Sequence, residues 1–152
     1  MIRNDYIMKM IAQLAKAMQQ ILKLKEAGRE DDALREVDLA MQRICGMNSQ
    51  LVNTLSEESL AATLRGGAQL DHGKCLVLAE LLAEEGDLHA AAERDDEAFL
   101  RRYRSLFLYL EAFVGEEDLR LPDYRAKIDA IVAHLEEFVL PVEMTDRLAR
   151  YY

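Results

Sequence analysis

The residues best suited to chemistry stand together just before the most apolar stretch of the chain. Asp71 and His72 precede Gly73-Lys74-Cys75, a spacing that can put an imidazole and a thiolate on one face of a helix. A closed zinc site needs four ligands, so Cys45 or His89 would have to complete it. Nothing in the sequence places either of them there. We therefore interpret His72 as a solvent-facing residue at a helix start and Cys75 as a core residue, and predict no metal site.

The same segment has some features of a phosphate-binding loop. Gly67 and Gly73 flank it and Lys74 follows, but five residues separate the glycines where the motif has four. Cys75 also stands where Ser or Thr would bind magnesium, and no strand is predicted before the loop. These differences favour a loop that leads into a helix, although the helix N-terminus beside Lys74 could hold a small anion.

Two further kinds of catalytic site lack their sequence signature. A di-iron site in a helical bundle uses Glu-x-x-His motifs, and no Glu stands three residues before His72, His89 or His134. Ser and Cys nucleophiles need a base, and the sequence offers no recognisable pattern for one. We therefore predict no catalytic residues and no cofactor, and expect that the protein is not an enzyme.

The stretch that must organise the rest of the chain is 75–83, in which eight of nine residues are apolar and Glu80 is the single charge. A helix that is apolar around most of its circumference must be surrounded by other helices. We predict a central helix from about 72 to 92, with Asp71 as a plausible N-cap. A second helix, 97–114, should form a hairpin with it.

Helix one is predicted over about 4–27, with lysines at 9, 16 and 23 on the face opposite its apolar stripe. Such a basic amphipathic helix could bind a membrane surface or a partner, but a long helix in a small domain is usually needed for the core. We therefore predict that its stripe faces inward. The stripe comprises Ile7, Met10, Ile11, Leu14, Met18, Ile21 and Leu22.

The remaining helices follow from periodicity and from their start and stop signals. Helix two spans about 32–45, with Asp31 or Asp32 as N-cap and Gly46 as its stop. Residues 47–71 should hold short helices, one of them capped by Ser56. Pro122 and Pro141 should begin the last two helices, with a polar linker at 116–121 before them. The chain is thus predicted to be one all-α domain, 1–152, with about five main helices and one or two short ones in antiparallel hairpins.

Composition limits the classes of function. The 152 residues carry 19 basic and 28 acidic side chains, a net charge of −9, which disfavours binding to nucleic acid. Two cysteines do not make a disulfide framework, so we expect a reducing, cytoplasmic environment. No apolar run approaches the roughly 18 residues of a membrane span, and no signal peptide is visible.

Small residues recur at spacings used by helical repeats. Gly28 is followed by Ala33 and Ala40, so that the glycine makes a turn and the alanines let the second helix approach the first closely. This spacing is similar to the tetratricopeptide repeat. Ala33 and its later counterpart lie 65 residues apart, however, rather than the roughly 34 of a tandem array. The later set consists of Gly86, Ala98 and Ser105.

The whole chain also resembles an uncharacterised family of bacterial helical proteins, a domain of unknown function often described as tetratricopeptide-like. The segments that carry the resemblance are Arg3–Ile11, Leu55–Leu60, the run that ends at Gly86, and Asp96–Ala98. The resemblance implies an all-helical, repeat-like fold and a cytoplasmic bacterial protein. It implies no activity and no catalytic residues.

The expected function is that of a non-enzymatic protein-interaction or scaffold module, because stacked helix pairs form grooves that bind peptides or subunits. The partner would be a protein, a peptide or a second copy of the chain. The alternative is a small-molecule or metal-binding helical protein that uses His72, Cys75 and His89. The interface residues we expect are amphipathic aromatics, a type enriched at interfaces: Tyr103, Tyr109, Tyr151 and Tyr152.

Overall fold

A computed structural model of the chain describes residues 2–66, 69–113 and 122–152. These residues form eight α-helices, one π-helical turn and one two-residue strand pair, so the predicted all-α class is confirmed. The helix count is higher than predicted, because three short helices form rather than one or two. The predicted linker at 116–121 lies outside the described residues. In chain order the elements are α1 (Ile2–Glu26), α2 (Glu30–Ala40), the π turn (Met41–Cys45), α3 (Ser49–Thr54), α4 (Glu57–Thr63), β1 (Arg65–Gly66), β2 (Gln69–Leu70), α5 (His72–Ala91), α6 (Asp95–Phe113), α7 (Pro122–Leu135) and α8 (Val142–Tyr151).

The apolar stripe of α1 faces the core as predicted, but near the C-terminal end of the helix the buried residues differ from the predicted ones. The prediction for Leu22 is wrong, since its side chain is 53 % exposed, and Leu24 is buried instead. Steps of three and four residues keep one face in contact with the core, and Leu22 lies about 100° from its neighbour Ile21. The lysines at 9, 16 and 23 are exposed. The buried stripe comprises Ile7, Met10, Leu14, Ala17, Ile21 and Leu24.

The second helix, α2, packs on α1 but begins earlier than predicted. Neither Asp31 nor Asp32 is the N-cap, because the cap position is Arg29, whose side chain makes no capping hydrogen bond. Asp32 instead accepts hydrogen bonds from Arg29 and Arg35 on the surface. The π turn continues α2, and Gly46 ends the helix as predicted. The φ angle of Gly46 is 75°. The buried residues of this helix and turn are Ala33, Val37, Ala40, Met41 and Cys45.

Two short helices and the strand pair lead from the first hairpin to the central helix. The predicted cap of α4 is confirmed, since the Ser56 hydroxyl accepts a hydrogen bond from the Ser59 amide at 3.1 Å. β1 and β2 pair antiparallel, with Arg65 opposite Leu70. Both short helices contribute to the core, through Val52 of α3 and through Leu60 and Ala61 of α4.

The central position of α5 is confirmed. Asp71 caps it by accepting a hydrogen bond from the Lys74 amide at 3.1 Å. Every residue from 75 to 82 is buried, including Glu80. On its other side α5 packs along α6, and the Ser105 hydroxyl donates to the carbonyl of Ala79 at 2.5 Å. The position of α5 between the α1–α2 hairpin and α6 explains why it is apolar on nearly all faces.

The later set of small residues lies along the contact between α5 and α6. A Cβ added at Gly86 would stand 3.4 Å from the carbonyl oxygen of Ala98 and 2.9 Å from Cγ of Arg102. The turn between the two helices uses Glu93 at φ 62°, a left-handed conformation that glycine adopts more readily. The tetratricopeptide-like arrangement itself stays a prediction, because α3, α4 and the strand pair separate the two hairpins in the chain.

The last two helices pack on α6. α7 begins at Pro122 as predicted and buries Tyr124, Ile128, Ile131 and Leu135. α8 buries Met144, and its Arg147 pairs with Glu111 of α6. No helix in the described part of the chain combines the length and apolar character needed to cross a bilayer.

Candidate functional site

A pocket of about 190 Å³ opens onto α5 among α1, α6 and α7. Its apolar wall comes from three helices: Met18 of α1, Ala83 of α5, and Ala130 and Ile131 of α7. Alanine at 83 and at 130 leaves space where a larger side chain would fill the gap. Because the middle of α5 is buried elsewhere, the pocket gives solvent access to the central helix.

The polar wall of the pocket is a row of carboxylates on α5. Glu80, Glu84 and Asp87 stand at positions i, i+4 and i+7, which places them on one face of the helix. Each carboxylate is paired with a cation from a different neighbouring helix. The pairs are Lys127 of α7 with Glu80, Lys25 of α1 with Glu84 at 3.1 Å, and Arg102 of α6 with Asp87 at 3.0 Å.

The cation nearest the buried part of the pocket is the ammonium of Lys127. It donates to Glu80, which is 9 % exposed, and lies 5.1 Å from the ring centroid of Tyr124. Carboxylate and aromatic ring both favour a positive charge at this point. The Lys127 side chain is itself 46 % exposed and lines the pocket.

The pocket also contains a buried phenol. Tyr109 lines it while only 1 % exposed, and its ring packs 6.0 Å from that of Tyr124. Burial raises the pKa of Tyr109, and the charges of Glu80, Tyr124 and Glu84 raise it further, so the hydroxyl is protonated. We find no hydrogen bond to this hydroxyl from any residue that the structure describes. The hydroxyl therefore faces the pocket with hydrogen-bonding capacity that a ligand can use.

The sequence contained part of the signal for this site. Glu80 is the single charge in an otherwise apolar stretch, and Glu84 and Asp87 follow at helical spacing. A charge on a buried helix is normally paired, so the pattern indicates a cation near Glu80. No sequence pattern indicates Lys127, which is 47 residues away in the chain and reaches Glu80 only through the packing of α7.

The structure separates the residues of the predicted metal or small-molecule site. His72 and His89 lie at opposite ends of α5, about 26 Å apart at 1.5 Å per residue. Nδ1 of His72 donates to the carbonyl of Ala112 at 2.7 Å, and Nδ1 of His89 accepts from Arg94 at 2.8 Å. Among the described residues, no group of three metal-ligating side chains comes together.

The two cysteines lie in the core rather than at the pocket. Cys75 is fully buried and Cys45 nearly so, and burial raises the pKa of each thiol to about 12. Both thiols are therefore protonated at neutral pH. A protonated thiol is a poor nucleophile and a poor metal ligand, because the reactive form is the thiolate. This placement agrees with the interpretation of Cys75 as a core residue.

The four predicted interface tyrosines occupy different environments. Tyr109 is in the pocket floor, and Tyr103 is half-buried beside Phe99. Tyr152 is 58 % exposed, and its hydroxyl donates to Asp129 of α7. Its ring meets that of Tyr151 edge-on, with centroids 4.9 Å apart. The aromatic end of the chain thus packs across α7, and its role as an interface stays a prediction.

A second group of charged residues is buried where α3 meets α5 and α6. The Glu85 carboxylate accepts hydrogen bonds from the Ser49 hydroxyl and, at 3.2 Å, from the Asn53 amide. Nε of Arg101 lies 3.6 Å from it, and Glu85 is only 3 % exposed. Burial raises the pKa of Glu85, although these three partners oppose that shift. The cluster attaches α3 to the α5–α6 hairpin.

The raised pKa of Glu85 predicts how stability should change with pH. Between its ordinary value of 4.5 and its folded value, the folded chain binds a proton that the unfolded chain releases. This contribution is complete below the unfolded pKa and is lost as pH rises through the folded one. Relative to Glu85→Gln, the wild type should therefore gain stability as the pH falls from 7 to 5. Urea denaturation of both proteins at the two pH values measures the difference, and a pH-independent difference would contradict the assignment.

A larger but shallower depression lies beside the turn that follows the π turn. Gln42, Gly46, Asn48 and Leu51 are among the residues around it, and none of its lining residues is charged. It contains no buried polar group without a partner. The pocket on α5 is therefore the better candidate for a binding site.

Comparisons with known proteins return no relative: no family model, no curated protein and no solved structure matches the chain.

Proposed function

We propose that the protein is a non-enzymatic protein-interaction module and that its binding site is the pocket on α5. The observation that carries this proposal is the combination of an apolar wall, three carboxylates and the unpartnered hydroxyl of Tyr109 in one opening between α1 and α7. Binding sites typically combine apolar surface with a few convergent polar groups. The bacterial, cytoplasmic setting expected from the sequence is part of the same proposal.

The size of the pocket supports a protein partner over a free small molecule. Sites for drug-sized ligands and cofactors occupy about 300–1,000 Å³, whereas this one measures about 190 Å³. Such a space accepts one side chain, as when an anchor residue of a partner enters a pocket at the centre of an interface. The remaining contacts would then be made by α1 and α7 around the opening.

Ala130→Trp should block the pocket and reduce partner binding at least about tenfold, or 1.4 kcal/mol. Ala130 is exposed and lines the opening, so the indole would occupy the pocket without removing a core contact. Ala133→Trp is the matched control, since Ala133 is exposed on the same helix and lies outside the lining. It should bind as the wild type does.

The partner for this test can be captured by a photo-reactive benzoylphenylalanine placed at Ala130 in cells that make the protein natively. Affinities of the purified partner for the wild type and both tryptophan variants then give the answer by calorimetry. Equal binding by Ala130→Trp and Ala133→Trp would exclude the pocket as the binding site.

A further inference from the structure

We propose that the pocket takes a lysine or arginine side chain from a basic segment of the partner, which replaces Lys127 beside Glu80. This inference rests on the proposed function and names the chemistry of the occupant. Lys127 shows which group the pocket favours, because its ammonium is held by the Glu80 carboxylate over the Tyr124 ring.

The resident cation is held in a way that permits exchange. Lys127 is 46 % exposed, so its ammonium can leave Glu80 and return to water without crossing the core. Glu80, by contrast, is 9 % exposed and needs a cation at all times, because an unpaired buried carboxylate is costly. An incoming ammonium or guanidinium keeps Glu80 paired while Lys127 returns to water.

The hydroxyl of Tyr109 gives the incoming group an advantage over Lys127. It lines the pocket, is nine-tenths buried, and has no hydrogen-bond partner among the described residues. A cation that enters from outside can donate to Glu80 and to this oxygen together, since ammonium and guanidinium groups carry several N–H donors. Satisfying both acceptors distinguishes the partner's side chain from the resident lysine.

The rest of the pocket fits the remainder of such a side chain. Met18, Ala130 and Ile131 provide an apolar wall for its methylene stem, which lysine and arginine commonly bury while the charged end finds a partner. A net charge of −9 also attracts a basic partner at long range.

The probe is a library of random twelve-residue peptides displayed on phage, selected on the wild-type protein and counter-selected on Ala130→Trp. Peptides that survive should contain a Lys or Arg whose replacement by Met weakens binding at least about tenfold, the size expected for a charge-assisted hydrogen bond. Glu80→Gln should weaken the same peptides to a similar extent, with circular dichroism confirming that the variant is folded.

Lys127→Met gives the most specific result. It removes the competing cation, so the selected peptides should bind more tightly, by about threefold or more. Lys16→Met, an exposed change on α1, alters the net charge by the same amount and should have a much smaller effect. A merely structural role for Lys127 would not raise affinity.

The outcomes separate the two proposals. The inference would be overturned if peptides that bind the pocket kept their affinity after their Lys and Arg residues were replaced by Met. An unchanged affinity in Lys127→Met would overturn it as well. Either result would leave the proposed function intact. A selection that yields no peptide sensitive to Ala130→Trp would overturn both.

Discussion

Leu82→Ala should lower the free energy of unfolding by about 2–5 kcal/mol, the range for a leucine truncated in a packed core. Leu82 is fully buried in the middle of α5, within the stretch around which the other helices pack. The truncation removes apolar contacts on several sides, and the α-helices around α5 have little freedom to close the cavity. Chemical denaturation of the variant and the wild type measures the loss.

The matched control is Leu22→Ala, the same change on the exposed face of α1. It should alter the free energy of unfolding by no more than about 0.5 kcal/mol, as surface substitutions usually do. Similar losses in the two variants would mean that α5 is not the centre of the core.

Arg101→Met should cost about 3 kcal/mol, because it leaves Glu85 buried without its cation. Arg101 is 15 % exposed and also pairs with Glu97, so part of the loss comes from that second contact. Methionine keeps the length and apolar character of the side chain, which limits the loss of packing. Thermal and urea unfolding at neutral pH provide the measurement.

The double variant Arg101→Met/Glu85→Gln tests the reason for that loss. The neutral glutamine removes the uncompensated charge and can still accept hydrogen bonds from Ser49 and Asn53. It should therefore be more stable than Arg101→Met alone, although each single change acts on the same contact. A double variant less stable than either single one would show that packing rather than charge accounts for the effect of Arg101.

Local sequence signals were sufficient to predict most helices and several of their ends. Ser56, Asp71, Gly46 and Pro122 each act through their own backbone or nearest turn, so their roles can be read from a short window. The wrong N-cap shows the limit of this reading. Asp32 has the right chemistry, but Arg29 and Arg35 engage it on the surface and the helix begins before it.

The site could be predicted only in part, because its groups come from distant parts of the chain. Glu80 was visible as an isolated charge in the central helix, and Tyr109 as an amphipathic aromatic. Their neighbours Met18 and Lys127 reach the pocket through the packing of α1 and α7, which no local pattern specifies. The absence of Leu22 from the core has a similar origin, since the exact line of contact on α1 depends on where α5 lies against it.

The π turn at Met41–Cys45 has a consequence for the detection of relatives. Such a turn is usually one extra residue accommodated inside an α-helix, with the helix ends kept in place. A relative without that residue would continue α2 as an ordinary helix and still bury the counterparts of Val37 and Met47. An alignment that forbids gaps within helices would then shift every matched position after the turn by one residue and pair core residues with surface ones. Sequence searches with this chain should therefore permit a single-residue gap between positions 41 and 45.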